Sequence, residues 1–148
     1  MKKNLVLILF LVLVLSGCRL GKTTEVNSVD DIKAEHKGKY TKISSEQAKV
    51  FIDFALENGL LENGTLVIVD VRTLSEYNSE RIPGAINIPN ETIDNDKPRL
   101  LPDQDAIILV YCRSGNRSAQ AAKKLINLGY EYVFDFGGIT SWRYDIEK

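Results

Sequence analysis

Apolar residues run unbroken from Leu5 to Leu15, give way to a polar stretch, and from Tyr40 onward recur in segments of two kinds. The first kind has helical spacing. In SSEQAKVFIDFALENG, Ala48, Phe51, Ile52, Ala55 and Leu56 fall on one face, Ser44 and Gln47 form a capping box, and Gly59 supplies a stop. In SAQAAKKLINLG, Ala119, Ala122, Leu125 and Ile126 share a face and Gly129 ends the helix. The second kind is short: TLVIVDVR, continuously apolar over Leu66 to Val69, AINIP after the turn signal Pro83-Gly84, the uniformly apolar AIILVYC, and YVFDF. Apolar runs without polar alternation predict parallel strands covered on both faces. Strands separated by helical segments then imply an α/β fold: one domain, an open twisted parallel sheet with helices on both faces.

The N-terminal run is read differently. Lys2 and Lys3 precede it, and it is too short to span a bilayer comfortably, which is the pattern of a secretory signal. LSGC, Leu15 to Cys18, resembles the bacterial lipobox, in which cleavage before the cysteine leaves it bearing a diacylglycerol thioether. The expected organisation is a lipoprotein-type signal peptide over 1–17, a lipidated N-terminus and flexible tether over 18–39, and the folded domain over 40–148. Two acyl chains would hold the exported protein on the bacterial cell membrane. A tether of about twenty residues reaches roughly 25 Å. The only histidine, His36, falls in that tether and is set aside as a catalytic base.

Composition narrows the picture further. In 148 residues, 44% hydrophobic and 26% charged, nineteen basic side chains balance twenty acidic ones without forming a long basic face. That excludes a nucleic-acid footprint and fits one ordinary globular core. The reading calls for no metal ion or cofactor.

With Cys18 lipidated, Cys112 is the one free thiol, and it lies in VYCRSGNRSAQ. A cysteine ending an apolar strand reads either as a small core residue or as a nucleophile. The following residues favour the nucleophile. Gly115 permits a positive φ that turns successive N–H groups inward as an anion nest, a helix begins near Arg117 or Ser118, and Arg113 and Arg117 add charge. In open α/β sheets ligands bind at this end of the strands. An unperturbed thiol is only about 3% ionised at pH 7, so a lowered pKa would change its reactivity substantially.

CRSGNRS resembles the active-site loop of the rhodanese sulfurtransferases. IVDVRTLSEYNSERIPGAINIP and GGITSW resemble further motifs of that family in the same order, so the resemblance spans about Tyr40 to Tyr144. It implies that Cys112 takes sulfur from a donor such as thiosulfate as a persulfide and passes it to a thiol or cyanide. Arg113, Ser114, Gly115, Asn116 and Arg117 would hold the small anionic donor, and Asp70 and Arg72 match positions that support the loop. Trp142 and Gly137-Gly138 read as packing and turn residues. Two alternatives stand beside this. One is a cysteine phosphatase, whose loop has five residues between Cys and Arg where this chain has four. The other is a membrane-tethered persulfide carrier or binding module serving a partner protein.

Overall fold

The computed structural model describes residues 26–34 and 36–148. The expected signal segment and Cys18 lie outside the described residues. Nine regular elements follow in order: α1 (Val29–Lys33), β1 (Thr41–Lys42), α2 (Ser45–Glu57), β2 (Leu66–Asp70), α3 (Leu74–Ser79), β3 (Ala85–Asn87), β4 (Ile107–Cys112), α4 (Asn116–Asn127) and β5 (Tyr132–Gly138). Short 3₁₀ turns at Asn90–Thr92 and Ile139–Ser141 complete the described structure. The five strands form one parallel sheet in the order β1-β5-β4-β2-β3.

The central strand β4 is buried at every position, as its uniformly apolar sequence requires. Its side chains alternate between two cores. Ile107, Leu109 and Tyr111 join Ala48, Phe51, Ile52 and Ala55 of α2, whereas Ile108, Val110 and Cys112 join Ala121, Ala122 and Leu125 of α4. Strand parity therefore decides where the thiol goes. A one-residue slip of register would put Cys112 on the α2 side, away from the helix that follows it.

Both expected helices form, with their buried stripes adjusted. The Ser44–Gln47 capping box is present on α2, but Leu56, at the edge of the stripe, is 54% exposed. On α4 the buried face is Ser118, Ala121, Ala122 and Leu125, so it is centred one residue earlier than hydrophobicity alone suggested. Ser118 is tolerated there because its hydroxyl is hydrogen-bonded inside the core.

The tether expected over 18–39 is corrected for its described part. Ser28 caps α1 by accepting from Asp31 N–H, and Ile32 is only 1% exposed, packed in the cluster that holds Phe51 and Phe134. His36 meets the Phe134 ring edge-on at 5.1 Å. One short helix with one buried anchor carries too little periodicity to read from the chain. Ile32→Ala should therefore lower stability by about 2–3 kcal/mol in urea unfolding. A residue in a free tether would leave the unfolding midpoint where it is.

Candidate active site

The site begins with an irregularity between the two central strands. Val110 pairs with Asp135, but Cys112 pairs with Gly138, so β5 carries one extra residue at this point. The bulge lies directly beside the cysteine, where it re-aims the end of β5. Asp135 helps fix it, its buried carboxylate accepting from Gly137 N–H at 2.9 Å and from the Tyr40 hydroxyl at 2.8 Å.

After Cys112 the chain makes a tight loop and enters α4. Gly115, the N-cap, has φ +104°, and its N–H points back at Cys112 Sγ at 3.0 Å. That conformation strains any residue with a Cβ, so the sequence meets it with glycine. The expected nest is thus formed, with α4 starting at Asn116, slightly earlier than predicted. Arg113, Ser114 and Asn116 are exposed around it, while Cys112 is 0% exposed.

A second shell holds the loop in this shape. Ser118 Oγ lies 3.1 Å from Gly115 O, 3.1 Å from Gly137 O and 3.7 Å from Cys112 Sγ, tying loop, helix and β5 together. Thr140 donates twice to Arg113 O, from its N–H at 3.2 Å and its hydroxyl at 2.9 Å. Gly138 abuts the same peptide so closely that a Cβ there would overlap the Arg113 carbonyl. The glycine pair, expected to serve in packing and turning, is therefore the wall against which the loop is formed.

Arg117 is placed differently from the expectation. Its guanidinium makes a bidentate pair with Glu76, at 2.8 and 2.9 Å, so it fastens the loop to α3 rather than standing free for an anion. Glu76 also closes the capping box of α3 with Thr73. Asp70 and Arg72 form a buried pair, with Arg72 Nη2 2.7 Å from Asp70 Oδ2, and Arg72 reaches on to Glu80 O at the end of α3. They act on α3, and through Glu76 on Arg117; their hydrogen bonds do not go to the cysteine loop. Beside them lies a polar cleft of about 270 Å³ lined by Arg72, Glu76, Glu80, Arg113 and Thr140.

Sequence reasoning missed Glu76, Ser118 and Thr140 as parts of this site. Glu76 did carry a signal, the Thr73-x-x-Glu76 capping pattern that marks a helix opposite the loop. Ser118 and Thr140 carried none, because their role depends on contacts with distant backbone.

Two influences oppose each other on the Cys112 thiol. Burial pushes its pKa up, while N–H groups of Ser118, Gly115 and Ser114 and the Ser118 hydroxyl pull it down, and the net result is below the ordinary thiol value. The lowering thus comes from short-range dipoles aimed at one atom. Among the described residues, no group of three or more His, Cys, Asp or Glu is placed to hold a metal ion.

A thiol at the end of a parallel strand, its pKa lowered by converging amides, defines a cysteine-nucleophile α/β domain. The chain matches the rhodanese-like domain over residues 55–145, more than half its length, and it belongs to that family. It is 37% identical over 71 residues to the thiosulfate sulfurtransferase PspE of Escherichia coli, covering 48% of this chain and 68% of the relative. It is 36% identical over 89 residues to a sulfurtransferase of Allochromatium vinosum, covering 60% and 81% respectively. Among solved structures, a rhodanese with anions from E. coli superposes with a TM-score of 0.52 at 32% identity, covering 56% of this chain and 98% of that one.

Two outcomes follow from this geometry. Ser118→Ala should raise the pH midpoint of Cys112 alkylation by iodoacetamide, because a hydroxyl that helps lower the thiol pKa is lost. Glu76 is held at about 2 against an ordinary 4.5, chiefly by its hydrogen bonds with Arg117. Its folded pKa is depressed, so its stabilisation is complete above the unfolded value and is lost as pH falls from about 4.5 through about 2. In urea titrations Glu76→Gln should be less stable than wild type at neutral pH, with the gap closing toward pH 2.

Proposed function

We propose that this protein, a rhodanese-type sulfurtransferase, moves a sulfane sulfur from thiosulfate or a similar anionic donor to a thiol or cyanide, with Cys112 carrying it as a persulfide. The Cys112 thiolate attacks the outer sulfur of thiosulfate, the sulfur–sulfur bond of the donor breaks, and sulfite leaves with the bonding electron pair. Cyanide or a thiolate then attacks the outer sulfur of the persulfide, and the Cys112 thiolate leaves. Electrons balance over the two steps without an external oxidant. Passing through a covalent intermediate replaces one difficult displacement by two easier ones.

The observation that carries this reading is the position of Sγ inside the loop, 3.0 Å from Gly115 N–H, with burial around it. Preorganised amides at that distance stabilise a thiolate before attack and receive a terminal sulfur anion after it. Gly115, Ser114 and Asn116 are the loop positions to meet the donor. Arg113, exposed beside the polar cleft, supplies attraction for an anion, and Arg117 contributes through its clamp on Glu76. The names of the relatives in E. coli and A. vinosum agree with sulfur as the cargo. The four-residue spacing between Cys112 and Arg117 also disfavours phosphate, which needs a wider loop.

We further propose that the protein acts outside the cytoplasm. The apolar run after Lys2-Lys3 and the LSGC sequence support lipidation of Cys18 and attachment to the cell membrane.

Incubation of the full chain with thiosulfate, followed by intact-mass measurement, should add one sulfur atom to the wild type and none to Cys112→Ser. No gain with any sulfane donor would rule out the persulfide, and hydrolysis of an aryl phosphate would favour the phosphatase. Cys18→Ala should move the protein from the membrane to the soluble fraction with its sulfur loading intact. Retention of that variant on membranes would contradict the anchor.

A further inference from the structure

Asn90, in the 3₁₀ turn that follows β3, is 5% exposed and firmly held. Its N–H donates to Val71 O at 3.1 Å, its carbonyl accepts from Lys124 Nζ at 2.8 Å, and its side-chain Nδ2 donates to Gln120 Oε1 at 3.2 Å. Among the described residues its buried Oδ1 has no partner. Gln120 continues the line: its Nε2 donates to Asn116 Oδ1 at 2.6 Å, one turn earlier on α4. Three amides therefore run from a packed turn to an exposed residue of the Cys112 loop.

The direction of this relay has a physical reason. Exchanging nitrogen and oxygen on all three side chains would keep both links, so the links alone do not choose. Reversal, however, would put the Asn90 NH₂ into the buried place now held by its unpartnered oxygen. A buried donor without an acceptor is harder to accommodate than an under-satisfied carbonyl. Asn90 thus presents its NH₂ to Gln120, and Gln120 presents its own to Asn116. Asn116 is left with its oxygen engaged and its NH₂ free, beside the N-terminus of α4, where unsatisfied backbone N–H groups already favour negative charge.

We infer that Gln120 is a positioning residue that fixes the Asn116 side chain as a hydrogen-bond donor on the rim of the Cys112 loop, biasing it toward reagents that carry anionic oxygens. Asn116 is the group that meets the reagent, and Gln120 acts through it. This rests on the sulfurtransferase reading and adds to it the residue that orients one hydrogen-bond donor on the loop rim.

The test compares alkylation of Cys112 in the full chain by iodoacetate and by iodoacetamide, which are alike in size and differ in charge. Gln120→Met and Asn116→Ala should each lower the iodoacetate-to-iodoacetamide rate ratio about fivefold, and the double variant should lower it no further. In Gln120→Met the iodoacetamide rate and its pH midpoint should stay where they are, since a loosened loop would alter both reagents together. A ratio unchanged in Gln120→Met would overturn the inference, and so would independent losses that multiply to about 25-fold in the double variant. Sulfur loading by thiosulfate is measured on the same proteins. Failure of the wild type to load would overturn the donor reading, while the alkylation ratio judges the relay by itself.

Discussion

The Arg113 peptide rests on Gly138, and this close approach shapes the site. Because β5 offers no Cβ there, the chain leaving Cys112 can turn back immediately, with Thr140 gripping the Arg113 carbonyl. The extra residue in β5 then brings the Gly137 carbonyl to Ser118, and Ser118 holds the first turn of α4 against the sulfur. Without that close approach the loop would open, and its amides would point at solvent instead of Sγ.

The electrostatics are local for the same reason. A buried thiol would ordinarily resist ionisation, and the Arg117 guanidinium is occupied by Glu76. What remains are N–H dipoles held in place by hydrogen bonds to carbonyls and hydroxyls. Such dipoles need no reorganisation when charge appears, and being uncharged they attract no counterion that a substrate must displace. The charged residues work one layer further out: Asp70 holds Arg72, Arg72 holds the end of α3, and α3 presents Glu76 to Arg117.

The features legible in the chain were those set by short-range rules. Short, largely apolar runs located β2 to β5, the Ser44–Gln47 box located α2, and Gly115 marked the nest. Features that depend on contacts across the fold were not legible. β1 spans two residues and pairs with β5 only because that strand is already in place. Ile32 anchors α1 without any periodic partner. The expectation that both loop arginines would face an anion failed at Arg117, because a motif shows that a charge is present and leaves its counter-charge unseen. Glu76, more than forty positions away in the chain, supplies that counter-charge once β2 and β4 lie side by side.

Full burial of Cys112 makes the empty protein a poor target for anything bulky. The sulfur lies at the floor of a collar of backbone, and only a slender group arriving end-on can touch it. An atom bonded to that sulfur stands about 2 Å higher. On the proposed mechanism the unloaded form hides its reactive atom, whereas the persulfide would carry its outer sulfur further toward solvent. Large thiols, proteins included, would meet the enzyme only when it has something to give.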